Sequence, residues 1–396
     1  MLLLLALACA PDKDETTDRT GRPGDTDTGP DDTGPDDTGP DDTGDTDTPP
    51  GDGCRATPAA ADRDRVVLVA LPYDEDGGRS EVWAVLTLST EGELTDDGTR
   101  IEMGRAYAGK VAFTPDGSLA LAATEDGALA VYDVANGAVV EAAWDGGFYA
   151  NTVVSDPSGE VAWVVDGNWA NNGGGLWRVD LDCATGAPSN AERVLEAKLP
   201  EKLLWADGGA LLVGREVPGA AAGDDLARLD WTDPPAFTDG VDAFGDDDAV
   251  VSDAAVVGEW VVLGDISEFS GIPTRVARVR LGDELVAEEP VDIEDPISLV
   301  AFPDGSARAL VASGYGDAYV VLDVAEGSTS PVSASGVQLP GSMVAVTRGS
   351  LDGLVLGAEV GGIRLLQLDG EGAWDGGVFA FGSGIDHIPC VLGVAP

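Results

Sequence analysis

Basic residues are scarce in this chain: Lys and Arg number 22 against 72 Asp and Glu, a formal net charge of −50. Such acidity repels phosphate backbones and anionic bilayer surfaces, and excludes nucleic acid as a partner. Histidine occurs once, at His387, so a histidine-cluster metal site and a Cys/His zinc site are excluded by count. No Gly-x-Ser-x-Gly elbow is present to seat a serine nucleophile. Aromatics make up only 6% of the chain. Long apolar runs are also missing, since the leading "MLLLLALACA" is far shorter than the about 20 residues that span a bilayer. What is abundant is glycine, 54 residues of 396, which suits many short strands joined by tight turns.

The apolar start reads as the end of a signal peptide. Ala6-Leu7-Ala8-Cys9 resembles a bacterial lipobox, which implies lipidation at Cys9. The stretch from 10 to 60 is dominated by Asp, Thr, Gly and Pro, and repeats PDDTG at 30–34, 35–39 and 40–44. It cannot bury a core and its like charges repel, so it is expected to be a disordered linker between anchor and head. Its paired aspartates lack the fixed Asp-Gly-Glu loop pattern of a specific Ca²⁺ site. The predicted order is a signal remnant (1–9), a linker (10–60) and a folded domain (61–396).

The folded part repeats itself. In "VAFTPDGSLALAATEDGALAVYDVANGAVVEAAW" (111–144), four apolar runs are divided by Asp-Gly and Asn-Gly turns, the pattern of an antiparallel four-stranded meander. The order returns from Thr152, Lys202, Ala249, Ser298 and Met343. The glycine closing the first turn falls at Gly117, Gly159, Gly208, Gly258, Gly305 and Gly353, with gaps of 42, 49, 50, 47 and 48 residues. Four strands per 40–50 residues predict an all-β propeller of four-stranded antiparallel blades. A seventh unit is split. Residues 66–103 supply three strands, and the closing "IPCVLGVAP" is expected to supply the fourth, so that seven blades are closed by the C-terminal strand.

The segments "VAFTPDGSLALAATEDGALAVYDVANGAVV" and "AFPDGSARALVASGYGDAYVVLDVAEG" resemble blades of the YVTN and lactonase-like propellers and, more distantly, WD-repeats. The resemblance covers about 65–396 as a repeat pattern and implies the fold; the superfold hosts unrelated functions.

Up-and-down connectivity puts tight turns on one face and longer loops on the other: 166–175, 215–225 and 265–274. The long-loop face is the expected site of function. Entering the inner strands there are Tyr107, Tyr149, Asn151, Glu201, Lys202, Asp246 to Asp248, Glu294, Asp295, Asp386 and His387. Asn151, Asp248 and Glu294 carry hard oxygen ligands suited to Ca²⁺, with solvated loop acids as the plain alternative. A metal at the mouth is what resemblance to propeller lactonases implies. Tyr149, Asn168, Trp169, Asn171, Asn172 and His387 are candidate ligand-binding residues, since indole covers an apolar face and amides bond hydroxyls. Trp169 capping its own blade is the alternative reading. Phe269 and Tyr315 could extend the aromatic rim. No catalytic residue is assigned, and His387 beside Asp386 is as consistent with a backbone-bonding role at ring closure. Cys54 and Cys390 flank the split blade and are expected to form a disulfide, with Cys183 unpaired. The function expected is a monomeric, lipid-anchored binding or scaffold module of the outer membrane, cell surface or periplasm, recognising protein or glycan. The alternative is a divalent-cation-dependent lactonase or hydrolase.

Overall fold

The computed structural model describes residues 53–396 apart from 106–110, 125–126, 141–143, 146–149, 168–173, 207–208, 218–223, 233, 246–248, 267–273 and 383. The described strands form seven antiparallel sheets, each with its strands in order from the channel outward. Blade 1 is the split one: Val391–Val394 is its inner strand, followed by Arg65–Tyr73, Arg79–Leu88 and Leu94–Glu102. The tail pairs in register with the chain start, Val67 with Val394 and Val69 with Leu392. Ala395 N–H donates to Val66 O at 2.9 Å, extending the pairing beyond the strand. The ring is therefore closed by the residues the repeat period pointed to. Blades 2 to 7 follow in chain order, with inner strands Val111–Phe113, Ala150–Ser155, Lys198–Ala206, Val251–Val257, Pro296–Ala301 and Met343–Ala345. Blade 2 carries one extra strand, Trp144–Asp145, paired with its third strand Ala128–Asp133.

The second strands explain the sequence pattern. Leu119–Ala123, Val161–Asp166, Trp260–Asp265 and Leu354–Glu359 are buried at every position. Alternate residues of a strand face opposite ways, and both faces of a blade are covered by its neighbours. In Leu119–Ala123, for example, Leu119, Leu121 and Ala123 pack toward blade 3, while Ala120 and Ala122 pack toward blade 1. Period-2 alternation therefore vanishes and unbroken apolar runs remain. Seven apolar clusters result, one at each blade junction, and that between blades 7 and 1 joins Leu86 and Val69 to Leu356, Ile363 and Leu392. A Leu121→Ala change at such a site costs about 2–5 kcal/mol.

Of the six first-turn glycines, Gly117, Gly159, Gly258, Gly305 and Gly353 have φ between 60° and 83°. That left-handed conformation is the reason the repeat is punctuated by glycine.

Ahead of the first strand, residues 53–64 run as a strap over the tight-turn face. Arg55 is buried and donates to Asp182 O (2.8 Å) and Cys183 O (2.9 Å) of blade 3. Ala59 N–H bonds Pro115 O of blade 2 at 3.0 Å. Arg65 at the strap's end donates to Ala395 O in blade 1 and Arg348 O in blade 7, both at 2.9 Å. Three guanidinium or amide anchors on main-chain carbonyls thus tie the chain start to four blades. Residues 53–60, which composition groups with the linker, are held on the head by these contacts.

The expected Cys54–Cys390 disulfide is corrected here. Cys54 is joined to Cys183, across 129 residues of sequence. Cys54 sits at the start of the strap, which begins over blade 3 and runs from there to blade 1, and the Arg55 contacts hold it onto the turn containing Cys183. Cys183, expected to be unpaired, is the partner. Cys390 lies buried at the junction of blades 1 and 2, away from Cys54.

Candidate functional site at the channel mouth

The channel wall is sutured by its own polar residues. Asn151, second in the inner strand of blade 3, donates its amide to Pro200 O of blade 4 at 2.6 Å. Ser252, second in the inner strand of blade 5, donates to Pro296 O of blade 6 at 2.5 Å. Between them Lys202 of blade 4 reaches Asp253 Oδ1 (2.7 Å) and Ala254 O (2.6 Å) of blade 5. The other oxygen of Asp253 accepts Ser298 Oγ–H and Leu299 N–H of blade 6, both at 2.9 Å, and Ser298 Oγ accepts Met343 N–H of blade 7 at 3.1 Å. A continuous chain of hydrogen bonds thus links the inner strands of blades 3 to 7. Asp253 is fully buried, and its charge is acceptable there because Lys202 and the donors of blades 5 and 6 surround it.

Above this wall, three inner strands are entered through a strained residue before proline. Leu199, Asp295 and Leu339 have φ of 51°, 43° and 43° and precede Pro200, Pro296 and Pro340. Positive φ in non-glycine residues costs about 1–3 kcal/mol and persists only where neighbours enforce it. At Asp295 the enforcement is visible: its N–H donates to Thr274 Oγ1 (2.9 Å), its carbonyl accepts Gly314 N–H (2.9 Å), and its carboxylate accepts Tyr315 N–H (3.0 Å).

Buried acids close three of the second strands at this face. Asp166, Asp265 and Glu359 are each the last residue of such a strand and all are buried. Each is matched by a neighbour: Asp166 Oδ2 accepts the Trp177 indole N–H (3.2 Å), Asp265 accepts Val250 N–H (2.9 Å) and Arg275 Nε (3.3 Å), and Glu359 is bound by Arg364. Burial opposes the Arg364 charge, but Glu359 and Asp375 more than offset it and raise its pKa. The Tyr319 hydroxyl beside Glu359 is pushed well above 10, first by burial and then by the carboxylate. Asp225, entering the third strand of blade 4, is pushed up to about 8 by burial, against the N–H groups of Ala243 (2.9 Å) and Phe244 (3.3 Å) that stabilise its charge.

Between blades 6 and 7 the mouth holds a cavity of about 30 Å³, lined by Asp295, Tyr315, Leu339, Pro340, Glu359 and Ile388 among others. That is room for about one or two waters.

The sequence candidates distribute unevenly over this geometry. Asn151 is a suture between blades. Glu294 is exposed, and its carbonyl accepts the Ser313 hydroxyl. The two lie three blades apart. Among the described residues, no three carboxylate, thiol or imidazole ligand atoms gather at the mouth; the one such group, Cys54, Glu160 and Cys183, is on the opposite face with its sulfurs in a disulfide. Asp248, Tyr149, Asn168, Trp169, Asn171 and Asn172, with Tyr107 and Phe269, lie outside the described residues, as does Cys9. His387 ends a single 3-10 turn, Ile385–His387, between blade 7 and the closing strand. Its Nδ1 stands 2.9 Å from Asp386 Oδ1 without the alignment of a hydrogen bond, and its ring packs on Gly382. Asp253 and the acids Asp166, Asp265 and Glu359 were missed by sequence reasoning. Their signal was an acid inside or closing an apolar run, as in "VAWVVD", "WVVLGD" and "VVSDAAVV".

No family model and no curated protein matches the chain. Solved structures do. A propeller of Bacteroides fragilis provisionally named a 6-phosphogluconolactonase superposes with a TM-score of 0.58 at 14% identity, covering 86% of this chain and 100% of that one. A similarly named protein of Bacteroides uniformis gives 0.56 at 13%, covering 84% and 99%. A chain of Kuenenia stuttgartiensis hydrazine synthase gives 0.53 at 11%, covering 75% and 95%. What these likenesses share with the chain is the fold. At such identities, and with such different names among them, a common architecture carries no activity across.

Proposed function

We propose that this protein is an exported, lipid-anchored binding module that presents the long-loop face of its propeller to a protein or glycan ligand. The observation that carries the reading is the strap. It leaves the blades at Cys54 on the tight-turn face, pinned there by the disulfide to Cys183 and by Arg55. A linker running from that point back to an anchor leaves the opposite face, with its longer loops, directed away from the membrane. The described polar groups at the mouth serve the blades themselves, which suits a scaffold better than a reaction centre.

The experiment is twofold. Cells expressing the full chain are fractionated, and the N-terminal peptide of the membrane fraction is weighed: a diacylglyceryl adduct on Cys9 is the expected result. A soluble protein, or a Cys9–Cys390 peptide in a nonreducing digest, overturns the anchor, because one sulfur cannot carry both a thioether and a disulfide. Replacing loop 168–173 by Gly-Ser residues is then expected to abolish capture of the surface ligand without changing the melting temperature.

The lactonase-like neighbours favour a second reading, a cation-dependent lactonase, at the level of fold alone. Stoichiometric Ca²⁺ uptake accompanied by hydrolysis of 6-phosphogluconolactone, both lost in Glu294→Gln, would establish it in place of the binding module.

A further inference from the structure

We infer that the rim between blades 6 and 7 carries a binding groove for a neutral oligosaccharide, separate from the long-loop face. The groove has a volume of about 440 Å³ and lies between the outer strand of blade 6, Ser328–Pro331, and the last hairpin of blade 7, Asp369 to Trp374. This is within the size range of small-ligand sites.

Its chemistry is that of sugar recognition. Trp374 is 52% exposed, the most solvent-accessible of the large apolar side chains among the described residues. Its indole N–H donates to Asp369 Oδ2 at 2.9 Å, which holds the ring's orientation. The face of an indole so held is an apolar platform for the C–H groups of a pyranose. Opposite it, Ser328, Thr329 and Ser330 are exposed along the edge of blade 6, and Asp323, Glu371 and Arg308 add charged groups to the lining. Serine and threonine hydroxyls both donate and accept, and a carboxylate accepts from vicinal hydroxyls, the complement that a sugar's polar edge requires. The walls are fixed relative to each other, because Arg308 of blade 6 donates to Asp369 O of blade 7 at 3.0 Å while paired with Asp304 at 2.7 Å. Asp323 and Glu371 outnumber the one cation of the lining, Arg308, whose guanidinium is engaged by Asp304 and Asp369 O; with the net charge of −50 they set the charge of the ligand, so that neutral sugars are admitted and uronic or sulfated ones repelled. A peptide strand added to the edge of blade 6 fits less well, since that strand has four residues and ends on Pro331, which offers no N–H.

The test uses the full chain with cellohexaose, laminarihexaose and maltohexaose, read by tryptophan fluorescence and calorimetry. At least one is expected to bind saturably. Trp374→Ala should weaken it about tenfold or more, the scale of one lost aromatic platform. Trp374→Phe should keep most of the affinity, and polygalacturonate should not bind. Trp205→Ala is the control: that ring is also exposed but packs edge-on against Trp231 near the junction of blades 3 and 4. Absence of binding by all three hexaoses overturns the proposal, and is what a peptide-binding groove would give. Binding that survives Trp374→Ala also overturns it, and would move the sugar elsewhere while leaving the binding-module reading intact.

Discussion

The two faces of the propeller use charge in opposite ways. On the tight-turn face, arginines of the strap are spent on main-chain carbonyls: Arg55 on blade 3 and Arg65 on blades 1 and 7. On the long-loop face, acids end the second strands and are met by an indole, an arginine or backbone N–H groups. Carbonyl oxygens left over at turns attract the scarce cations of an acidic protein, whereas loop entries use carboxylates to cap exposed amides. The first arrangement ties distant parts of the chain together. The second holds each loop to its own blade. Cutting the tight-turn face should therefore loosen the ring, while changing the long-loop face should act locally or with pH.

The largest effect is expected from deleting residues 385–396. This removes the inner strand of blade 1 and takes Leu392 from one junction and Cys390 and Val391 from the next. The loss should exceed the about 5–15 kcal/mol that stabilises a typical domain, so near-UV circular dichroism and a cooperative melt should both disappear. A truncated head that still melts cooperatively would refute the clasp.

On the long-loop face, Asp225 is expected to impose a pH slope. Its carboxyl is raised from 3.8 to about 8 in the folded state, so its contribution is fully present below pH 4, falls as the unfolded chain ionises, and is gone above pH 8. Asp225→Asn should remove up to about 5 kcal/mol of that decline, measured as urea midpoints of variant and wild type at pH 4.5 and 8. Parallel midpoints across the range would show that the carboxyl is not held neutral.

Opening the disulfide tests the other face. Paired Cys54→Ser and Cys183→Ser changes release a loop of 129 residues, worth about 5 kcal/mol in chain entropy. The melting temperature should drop by several degrees, with no dependence on pH between 5 and 7. A nonreducing digest should recover the Cys54–Cys183 peptide from the wild type.

A smaller cost is expected from Asp253→Ala in the channel wall, about 3 kcal/mol, because Lys202 keeps its charge in a site where it is only 18% exposed. Asp253→Leu combined with Lys202→Met should recover part of the loss. If the double variant is no better than the single one, the pair is not what sutures blades 4 and 5.

Much of this architecture is legible in the chain because propeller blades are local. A four-stranded meander needs its turn glycines and apolar runs within some 45 residues, and Gly117, Gly159 and Gly305 mark them at the period found. Even the closing strand is legible, since a ring with three strands at one end must borrow the fourth. The suture residues are less so. Asn151 and Ser252 reach carbonyls of the next blade 49 and 44 residues on, and nothing beside them names those partners. Asp253 reads locally as an interruption in an apolar strand, although its donors come from three elements.

The sequence by itself determined the number of blades, their order and the strand that closes them, because those follow from short-range periodicity and from strand pairing between chemically matched apolar runs. The tertiary structure alone decided that Cys54 meets Cys183, that the Asn151 amide bonds the next blade at Pro200 O, and that Trp374 stands open over a groove between two blades. Each of these depends on where a segment comes to rest after the ring has closed, and the same side chain has different neighbours for each path the chain could take.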